Sequence, residues 1–122
     1  MKNICLITGA AGLLGKMHAE AILEMGKNLC ITDINFKKLK VLYLYLKRKH
    51  PKKEIIYNKL DVTNENEIKK FYKKMNKNYF VDVLINNAAI DFKIKKNRSK
   101  IGDNNFYNFN LNRWEKEIQV GL

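Results

Sequence analysis

The stretch Thr8-Gly9-Ala10-Ala11-Gly12-Leu13-Leu14-Gly15 decides the fold, because an apolar run precedes it and an amphipathic run follows it. The preceding run, Ile4-Cys5-Leu6-Ile7, is short and continuous, which is typical of a parallel strand covered on both faces. The following run predicts a helix that ends at Gly26. Its apolar positions recur at helical spacing and are Met17, Ala21, Ile22 and Met25.

Three glycines in this turn have separable purposes in a strand-turn-helix unit that binds phosphate. Gly9, Gly12 and Gly15 would allow a sharp turn, a close approach of backbone to a pyrophosphate, and close packing of helix on strand. The free N–H groups and the positive end of the helix dipole would then face the anion. A plain strand-turn-helix connection can show the same spacing, so the rest of the chain has to distinguish the two.

The composition is that of one globular domain or of part of a larger one: 122 residues, 46% of them hydrophobic. No apolar run approaches the ~20 residues of a membrane span, and no signal peptide precedes the first strand. A cytoplasmic protein is therefore expected. Cys5 and Cys30 lie in predicted strands without a metal-ligand spacing, which favours packing over a redox role and predicts no metal site.

The formal net charge of +12 raises the question of nucleic-acid binding. Only three of the 24 basic residues are arginine, the side chain that suits phosphate and base edges best. The lysines are spread over three predicted helices and one loop. This distribution favours a solvated surface over a polyanion site, and nucleic acid is an unlikely partner.

The second predicted strand, from Asn28 to Asp33, ends on an acid. Asp33 follows the glycine turn by about 20 residues, where a nucleotide-binding βαβ unit places the carboxylate that binds the adenosine ribose. A carboxylate there repels a 2′-phosphate, and the next residue, Ile34, carries no positive charge. We therefore expect NAD in preference to NADP; the alternative is a turn or helix-capping aspartate.

Two Tyr-x-x-x-Lys spacings occur in the predicted helix from Asn35 to Lys49: Tyr43 with Lys47 and Tyr45 with Lys49. This helix follows the second strand and would lie far from the nicotinamide end of a cofactor. We assign both pairs to the core and the surface.

The third predicted strand, Glu54 to Lys59, is followed by Asp61 and Val62. An aspartate at the carboxyl end of a parallel strand faces the ligand crevice, so Asp61 could accept the exocyclic amine of an adenine. It could equally be a turn residue before a helix that Asn64 and Glu67 begin as a capping box.

The fourth predicted strand, Phe80 to Ile85, leads into Asn86-Asn87-Ala88-Ala89. Small residues at a strand exit let backbone pass close to a ligand, and the amides can tie the strand end to its neighbours. Beside the first strand, this exit marks the switch point at which open α/β sheets bind ligands.

The glycine turn, Asp33, Asp61-Val62 and Asn86-Asn87-Ala88-Ala89, in this order, resemble the N-terminal half of a short-chain dehydrogenase/reductase. The resemblance implies an NAD(P)-binding Rossmann half-domain over residues 1–122, a three-layer α/β/α fold. Its parallel sheet would have strand order 3-2-1-4 and be incomplete at the C-terminal side. The cofactor-binding residues implied are Gly9, Gly12, Leu14 and Gly15 at the pyrophosphate turn, Asp33 at the ribose, Asp61 and Val62 at the adenine, and Asn87 and Ala88 beside the cofactor.

Two positions depart from the family pattern. Gly12 lies one residue before the glycine of many members, and Ala89 replaces the glycine that usually follows Asn-Ala. The irregular stretch 91–109 contains five basic residues, for which a mobile solvated loop and a contact with an anionic substrate group both remain open. A last helix is predicted to begin near Asn110 or Asn112.

The family's catalytic serine and the Tyr-x-x-x-Lys of its later helix have no counterpart in a suitable place here. We therefore expect the chain to be a fragment or a truncated product of an NAD-dependent oxidoreductase acting on a hydroxyl or carbonyl, and to be inactive alone. The full-length form is expected to be a homo-oligomer, and the isolated chain to be prone to self-association through its unpaired edge strand. The alternative is a non-catalytic nucleotide-binding or regulatory Rossmann module.

Overall fold

The computed structural model describes residues 1–89 and 111–121. The chain divides into two compact units, residues 1–88 and 89–122. The predicted last helix is present and starts at Leu111, whereas the irregular stretch 91–109 lies outside the described residues. In chain order the elements are β1 (Lys2–Ile7), α1 (Leu13–Glu24), β2 (Leu29–Asp33), α2 (Phe36–Lys49), β3 (Ile55–Lys59), α3 (Glu65–Met75), β4 (Tyr79–Ile85) and α4 (Leu111–Gly121).

The four strands form one parallel sheet in the order β3-β2-β1-β4, which confirms the predicted order. Each strand is a short run rich in apolar side chains, as parallel strands covered by helices require. The first strand pairs with both β2 and β4, so the turn that follows β1 lies at the middle of the sheet's carboxyl edge. Within the described ranges, β3 and β4 are the edge strands.

Helices cover both faces of this sheet and bury a separate apolar cluster on each. On one face, Leu23 of α1 and Leu39 of α2 pack with Ile31 of the sheet. On the other, Phe71 and Met75 of α3 belong to the second cluster. The result is the three-layer α/β/α arrangement that the resemblance implied.

The two cysteines belong to opposite apolar clusters and are fully buried, as packing residues are. Burial raises the pKa of the Cys30 thiol to about 12, and burial likewise raises the pKa of Cys5. Both side chains therefore stay neutral at physiological pH and act as small hydrophobic groups.

The buried face of α1 differs from the predicted one. Met17 is 60% exposed and Met25 71% exposed, and Ala21 is exposed as well. The buried positions are Gly15, Ala19, Ile22 and Leu23. The small side chains at 15 and 19 let the helix axis approach the sheet closely, so close packing determines the buried face more than side-chain hydrophobicity does.

The edge strand β4 leaves Phe80 and Leu84 more than half exposed. Its pairing with β1 shifts register at Asp82, where Ile4 aligns with Val81 and Cys5 with Val83. This is the signature of a bulge. In the described parts of the chain, no helix is long and apolar enough to cross a membrane.

Candidate functional site

All of the predicted site residues in the first unit lie at the carboxyl edge of the sheet. Thr8 follows β1, Asp33 ends β2, Asp61 follows β3 and Asn87 follows β4. Because the strands are parallel, these four exits meet at the same edge. The Leu60 amide donates to the Asp33 carbonyl at 3.1 Å, which holds the exits of β2 and β3 together.

The glycine turn itself is held by backbone hydrogen bonds to its neighbours. The Ala10 amide donates to the Thr32 carbonyl at 3.0 Å, and the Gly12 amide donates to the Gly9 carbonyl at 3.3 Å. Gly12 then caps α1 with extended backbone and no side-chain hydrogen bond. The first N–H groups of α1 have no partner inside the helix, and their side of the turn carries the positive end of the dipole. This geometry can receive an anion.

The three glycines differ in what surrounds them. Gly9 has a φ of 63°, and a Cβ there would lie 2.6 Å from the Ala88 Cα. A Cβ on Gly15 would lie 2.5 Å from the Gly9 carbonyl oxygen. At Gly12 the nearest atom to such a Cβ is 3.5 Å away, an ordinary contact. Packing of the protein itself therefore requires glycine at 9 and 15, whereas a side chain at 12 would meet only an ordinary contact.

Leu13 and Leu14, the first two residues of α1, are 82% and 61% exposed. Leu14, predicted to lie at the turn, is found there with its side chain largely in solvent. It is therefore free to contact a molecule bound at the start of the helix.

The buried Thr8 hydroxyl joins the glycine turn to the exit of β4. It accepts the amides of both Asn87 and Ala88 at 3.1 Å. The Asn87 side chain in turn donates to the Gly9 carbonyl at 3.0 Å. The two segments therefore form one hydrogen-bonded unit. No role was predicted for Thr8, although its hydroxyl directly before the glycines is visible in the sequence.

We expect Thr8→Val to lower the free energy of unfolding by about 2 kcal/mol, because two partly buried amides lose their acceptor while the side-chain volume is kept. The control is Thr8→Ser, which keeps the hydroxyl and loses one methyl group at a cost of about 0.8 kcal/mol. Urea unfolding followed by far-UV circular dichroism compares the two. Equal losses would mean that the hydroxyl does not hold the two segments together.

Asp33 is tied directly to the glycine turn. Its Oδ2 accepts the Ala11 amide at 3.0 Å, and its Oδ1 accepts the Asn35 amide at 2.8 Å. These bonds orient the carboxylate at the end of β2 and leave lone pairs for further donors. The turn role that the sequence left as an alternative is therefore present in the Asn35 bond, whereas the N-cap of α2 is Asn35 and not Asp33. A backbone amide such as that of Ala11 gives no sign in the sequence, so this contact could not be predicted from it.

Asp61 is held by the residue that begins the following turn. Its Oδ1 accepts the Thr63 amide at 2.9 Å and the Thr63 hydroxyl at 2.7 Å. These bonds keep the pKa of the Asp61 carboxyl below its usual value. Both bonds go to one oxygen, so Oδ2 is free of partners among the described residues. Val62 is half-buried beside the apolar cluster under α3.

The capping box predicted for α3 is only half formed. The Asn64 side chain accepts the Glu67 amide at 3.1 Å, as predicted. The Glu67 carboxylate, however, accepts the Asp61 amide at 2.9 Å instead of the Asn64 amide. The Asn64 amide already donates to the Asp61 carbonyl, and this turn places the Asp61 amide within reach of Glu67. Glu67 thereby orders the loop that carries Asp61.

The second Tyr-x-x-x-Lys pair lies on the outer surface of α2 and its tyrosine is not acidified. The Tyr45 hydroxyl donates to Glu20 at 2.7 Å, and this bond raises the pKa of Tyr45. Lys49 contacts the same carboxylate at 3.3 Å. Tyr43, from the first pair, stacks on Tyr57 with ring centroids 4.4 Å apart. Neither pair lies at the carboxyl edge of the sheet, which agrees with their assignment to core and surface.

No group of three or more metal-ligating side chains occurs in the part of the chain that the structure describes.

Comparison with known proteins identifies the relatives of this chain. The family model described as short chain dehydrogenase matches residues 3–122. A 3-oxoacyl-[acyl-carrier-protein] reductase of Buchnera aphidicola is 40% identical over 123 residues, covering 99% of this chain and 44% of that protein. A short chain dehydrogenase/reductase of Gibberella zeae is 37% identical over 87 residues, covering 70% of this chain and 31% of the relative.

Solved structures of similar fold are also found. Levodione reductase superposes with a TM-score of 0.77 at 21% identity, over 97% of this chain and 43% of that one. The alcohol dehydrogenase of Thermococcus sibiricus, complexed with 5-hydroxy-NADP, gives 0.77 at 22% identity, over 97% and 46%. The chain spans less than half the length of each of these four proteins.

Proposed function

This chain belongs to the short-chain dehydrogenase family, and from this premise we propose that it is the cofactor-binding part of an oxidoreductase. The reaction would be hydride transfer between a nicotinamide dinucleotide and a hydroxyl or carbonyl substrate. When bound, the nicotinamide would supply or accept the hydride. The observation that carries the proposal is the 3.0 Å hydrogen bond from the Ala11 amide to Asp33, which joins a phosphate-type glycine turn to a ribose-type carboxylate.

Each part of the edge suits one part of a dinucleotide. The Gly12 backbone, which carries no side chain, and the N–H groups that begin α1 would hold the pyrophosphate. The lone pairs left on Asp33 would accept the two hydroxyls of the adenosine ribose. Oδ2 of Asp61 would accept the amine of the adenine, with Val62 beside the ring. Leu14 would contact the cofactor from the turn.

Asn87 and Ala88 would support the cofactor from the other side of the turn. Both are fixed by Thr8, and the Asn87 amide group holds the Gly9 carbonyl, so the exit of β4 cannot move independently of the glycines. We propose that these two residues position the turn and line its β4 side.

We propose NAD as the preferred cofactor. Asp33 is oriented by two backbone amides, so its charge stays next to the position of a ribose 2′ substituent. A 2′-phosphate there would meet a carboxylate at close range, and Ile34 supplies no compensating cation.

The Asp33→Asn variant tests both the site and the preference. We expect its NADH dissociation constant to rise about tenfold, because charge-assisted hydrogen bonds to the ribose become neutral ones, while the preference for NADH over NADPH shrinks or reverses. Fluorescence titration with each reduced cofactor measures this. Asp82→Asn is the matched control, since Asp82 lies on β4, away from the site, and forms an ion pair with Lys27. Unchanged NADH binding in Asp33→Asn would refute the ribose role.

We further propose that these 122 residues bind the cofactor without turning it over. The chemistry needs a tyrosine acidified by a nearby ammonium group, and the hydrogen bond from Tyr45 to Glu20 raises the pKa of that tyrosine instead. Oligomerisation at full length and a cytoplasmic location stay predictions from the sequence.

A further inference from the structure

A groove of about 420 Å³ lies between the N-terminal halves of α1 and α2. Its floor is formed by Val41, Leu42 and Tyr45, and its rim carries Lys16, Lys37 and Lys38. The groove borders the candidate cofactor site at Ala11 only. The adenine-side residues follow β3 and therefore do not line it, and the proposed cofactor contacts leave the groove without an occupant.

Two of the rim lysines occupy positions that cost the helix stability. Lys37 and Lys38 lie in the first turn of α2, which has no acidic residue. Cations there face the positive end of the helix dipole, which is unfavourable by about 0.3–1 kcal/mol each. Neither lysine forms an ion pair with a described residue. Their charges therefore stand uncompensated beside an apolar surface.

Lys16 of α1 lines the opposite side of the groove. The Lys16 ammonium lies 4.2 Å from the centre of the Tyr45 ring. Glu20, the acidic group nearby, is already bound by the Tyr45 hydroxyl and Lys49. The potential at the mouth of the groove is therefore positive.

Two of the apolar side chains that line the groove are exposed. Val41 is 68% exposed and Tyr45 39%. With Lys37 these residues recur at every fourth position, so they form one stripe along α2 with a cation at its N-terminal end and apolar side chains after it. Such a stripe is complementary to a segment that carries both apolar and acidic side chains.

We propose that this groove binds an acidic amphipathic helix of a partner protein, with the partner's apolar residues on Val41 and Tyr45 and its carboxylates at Lys16, Lys37 and Lys38. The groove is lined mainly by side chains of α1 and α2, so recognition would come from side chains, as in helix-in-groove binding. A membrane surface is flat and fits this concave site poorly. Nucleic acid would leave the apolar floor unpaired, and no arginine lines the groove.

The test uses a fluorescein-labelled synthetic 15-residue helix with leucine at positions i, i+3, i+4 and i+7 and glutamate elsewhere. Fluorescence anisotropy should show saturable binding to the 122-residue chain that weakens between 0.05 and 0.5 M NaCl, because exposed charges are screened over about 10 Å at 0.1 M salt. A peptide of the same composition in scrambled order, which has no apolar stripe, should bind at least about tenfold more weakly.

Two variants locate the binding surface. Lys37→Glu/Lys38→Glu should weaken the peptide at least about tenfold, and Val41→Glu should do the same at an exposed position where folding is unaffected. Lys70→Glu/Lys73→Glu, on the exposed surface of α3, makes the same charge change on the other face of the sheet and should leave binding within about twofold. Equal weakening by both lysine pairs, or binding of the scrambled peptide as tightly, would overturn the proposal.

NADH titration of the same variants separates this inference from the proposed cofactor site, on which it does not rest. Peptide binding without NADH binding would reject the cofactor proposal and keep this one. NADH binding without peptide binding would do the reverse.

Anionic vesicles of phosphatidylserine and phosphatidylcholine serve as a further probe. If the chain binds the vesicles but not the peptide, and Val41→Glu leaves vesicle binding unchanged, the proposal of a helix as the occupant is overturned.

Discussion

The Gly9→Ala variant is expected to lose about 3 kcal/mol or more of its free energy of unfolding. The φ of 63° at Gly9 is left-handed, a conformation that costs an L-residue about 1–2 kcal/mol. The new Cβ would also lie 2.6 Å from the Ala88 Cα and 2.9 Å from the Ala88 nitrogen. Neither backbone atom can rotate away, and the Thr8 hydroxyl holds Ala88 in place. Urea unfolding followed by circular dichroism measures the loss.

Gly26→Ala is the matched control for this experiment. Gly26 also has a left-handed φ, 84°, but a Cβ there would meet only the flexible end of Lys53 at 3.5 Å. Gly26→Ala should therefore lose only the free energy that a left-handed φ costs an L-residue, about 1–2 kcal/mol. The difference between the two variants measures the close approach of Ala88 to the turn. If both variants lose the same free energy of unfolding, the close contact between Gly9 and Ala88 does not constrain residue 9. The conclusion that the glycine turn and the exit of β4 form one packed unit would then be wrong.

The order and pairing of the elements could be predicted because each strand is an apolar run ended by a polar or glycine residue. Parallel strands must place these ends at one edge, so Asp33, Asp61 and Asn87 had to lie near the glycine turn once the strands were recognised. The strand ends therefore predicted which residues meet at this edge, whereas the strand order that the structure confirms was implied by the family resemblance.

The contacts that organise the site could not be predicted in the same way. The Ala11 amide that binds Asp33 belongs to the backbone, and any residue there except proline would offer it. Glu67 matched a capping box, but its carboxylate had two amides within reach and binds that of Asp61. The spacing of a capping box predicts only that the Glu67 carboxylate lies near the amides that precede the helix. Which of these amides it binds depends on the geometry of the turn.

Hydrophobicity was also misleading where close packing mattered more. The helical spacing of Met17 and Met25 indicated that they lie on the buried face of α1, yet Gly15 and Ala19 lie there instead. The same limit applies to the lysines, which are indistinguishable in a sequence of net charge +12. Only the fold separates Lys37 and Lys38, beside an exposed apolar floor, from the lysines along α3.

Gly12→Asp should separate folding from cofactor binding. Gly12 is the N-cap of α1 with a φ of −77°, which any residue adopts, and a Cβ there would make only an ordinary contact, 3.5 Å from the Gly9 carbonyl oxygen. Aspartate is a better N-cap than glycine and its charge favours the helix dipole, so the free energy of unfolding should stay the same or rise by a few tenths of a kcal/mol. The same carboxylate would occupy the N–H groups that a pyrophosphate needs and would repel its charge. NADH binding should therefore weaken at least about a hundredfold, a loss of charge-assisted hydrogen bonds.

Gly12→Asn distinguishes charge from bulk in this result. Asparagine caps a helix as well as aspartate does and is similar in size, but it is neutral. Its NADH affinity should fall between those of the unsubstituted chain and Gly12→Asp, and only the aspartate variant should regain affinity as the pH falls through the range in which its carboxylate protonates. Fluorescence titration of NADH from pH 7 down to pH 4, beside urea unfolding at each pH, measures both quantities. If Gly12→Asp binds NADH normally while folded, the anion is not bound at the start of α1 and the proposed cofactor site has to be abandoned.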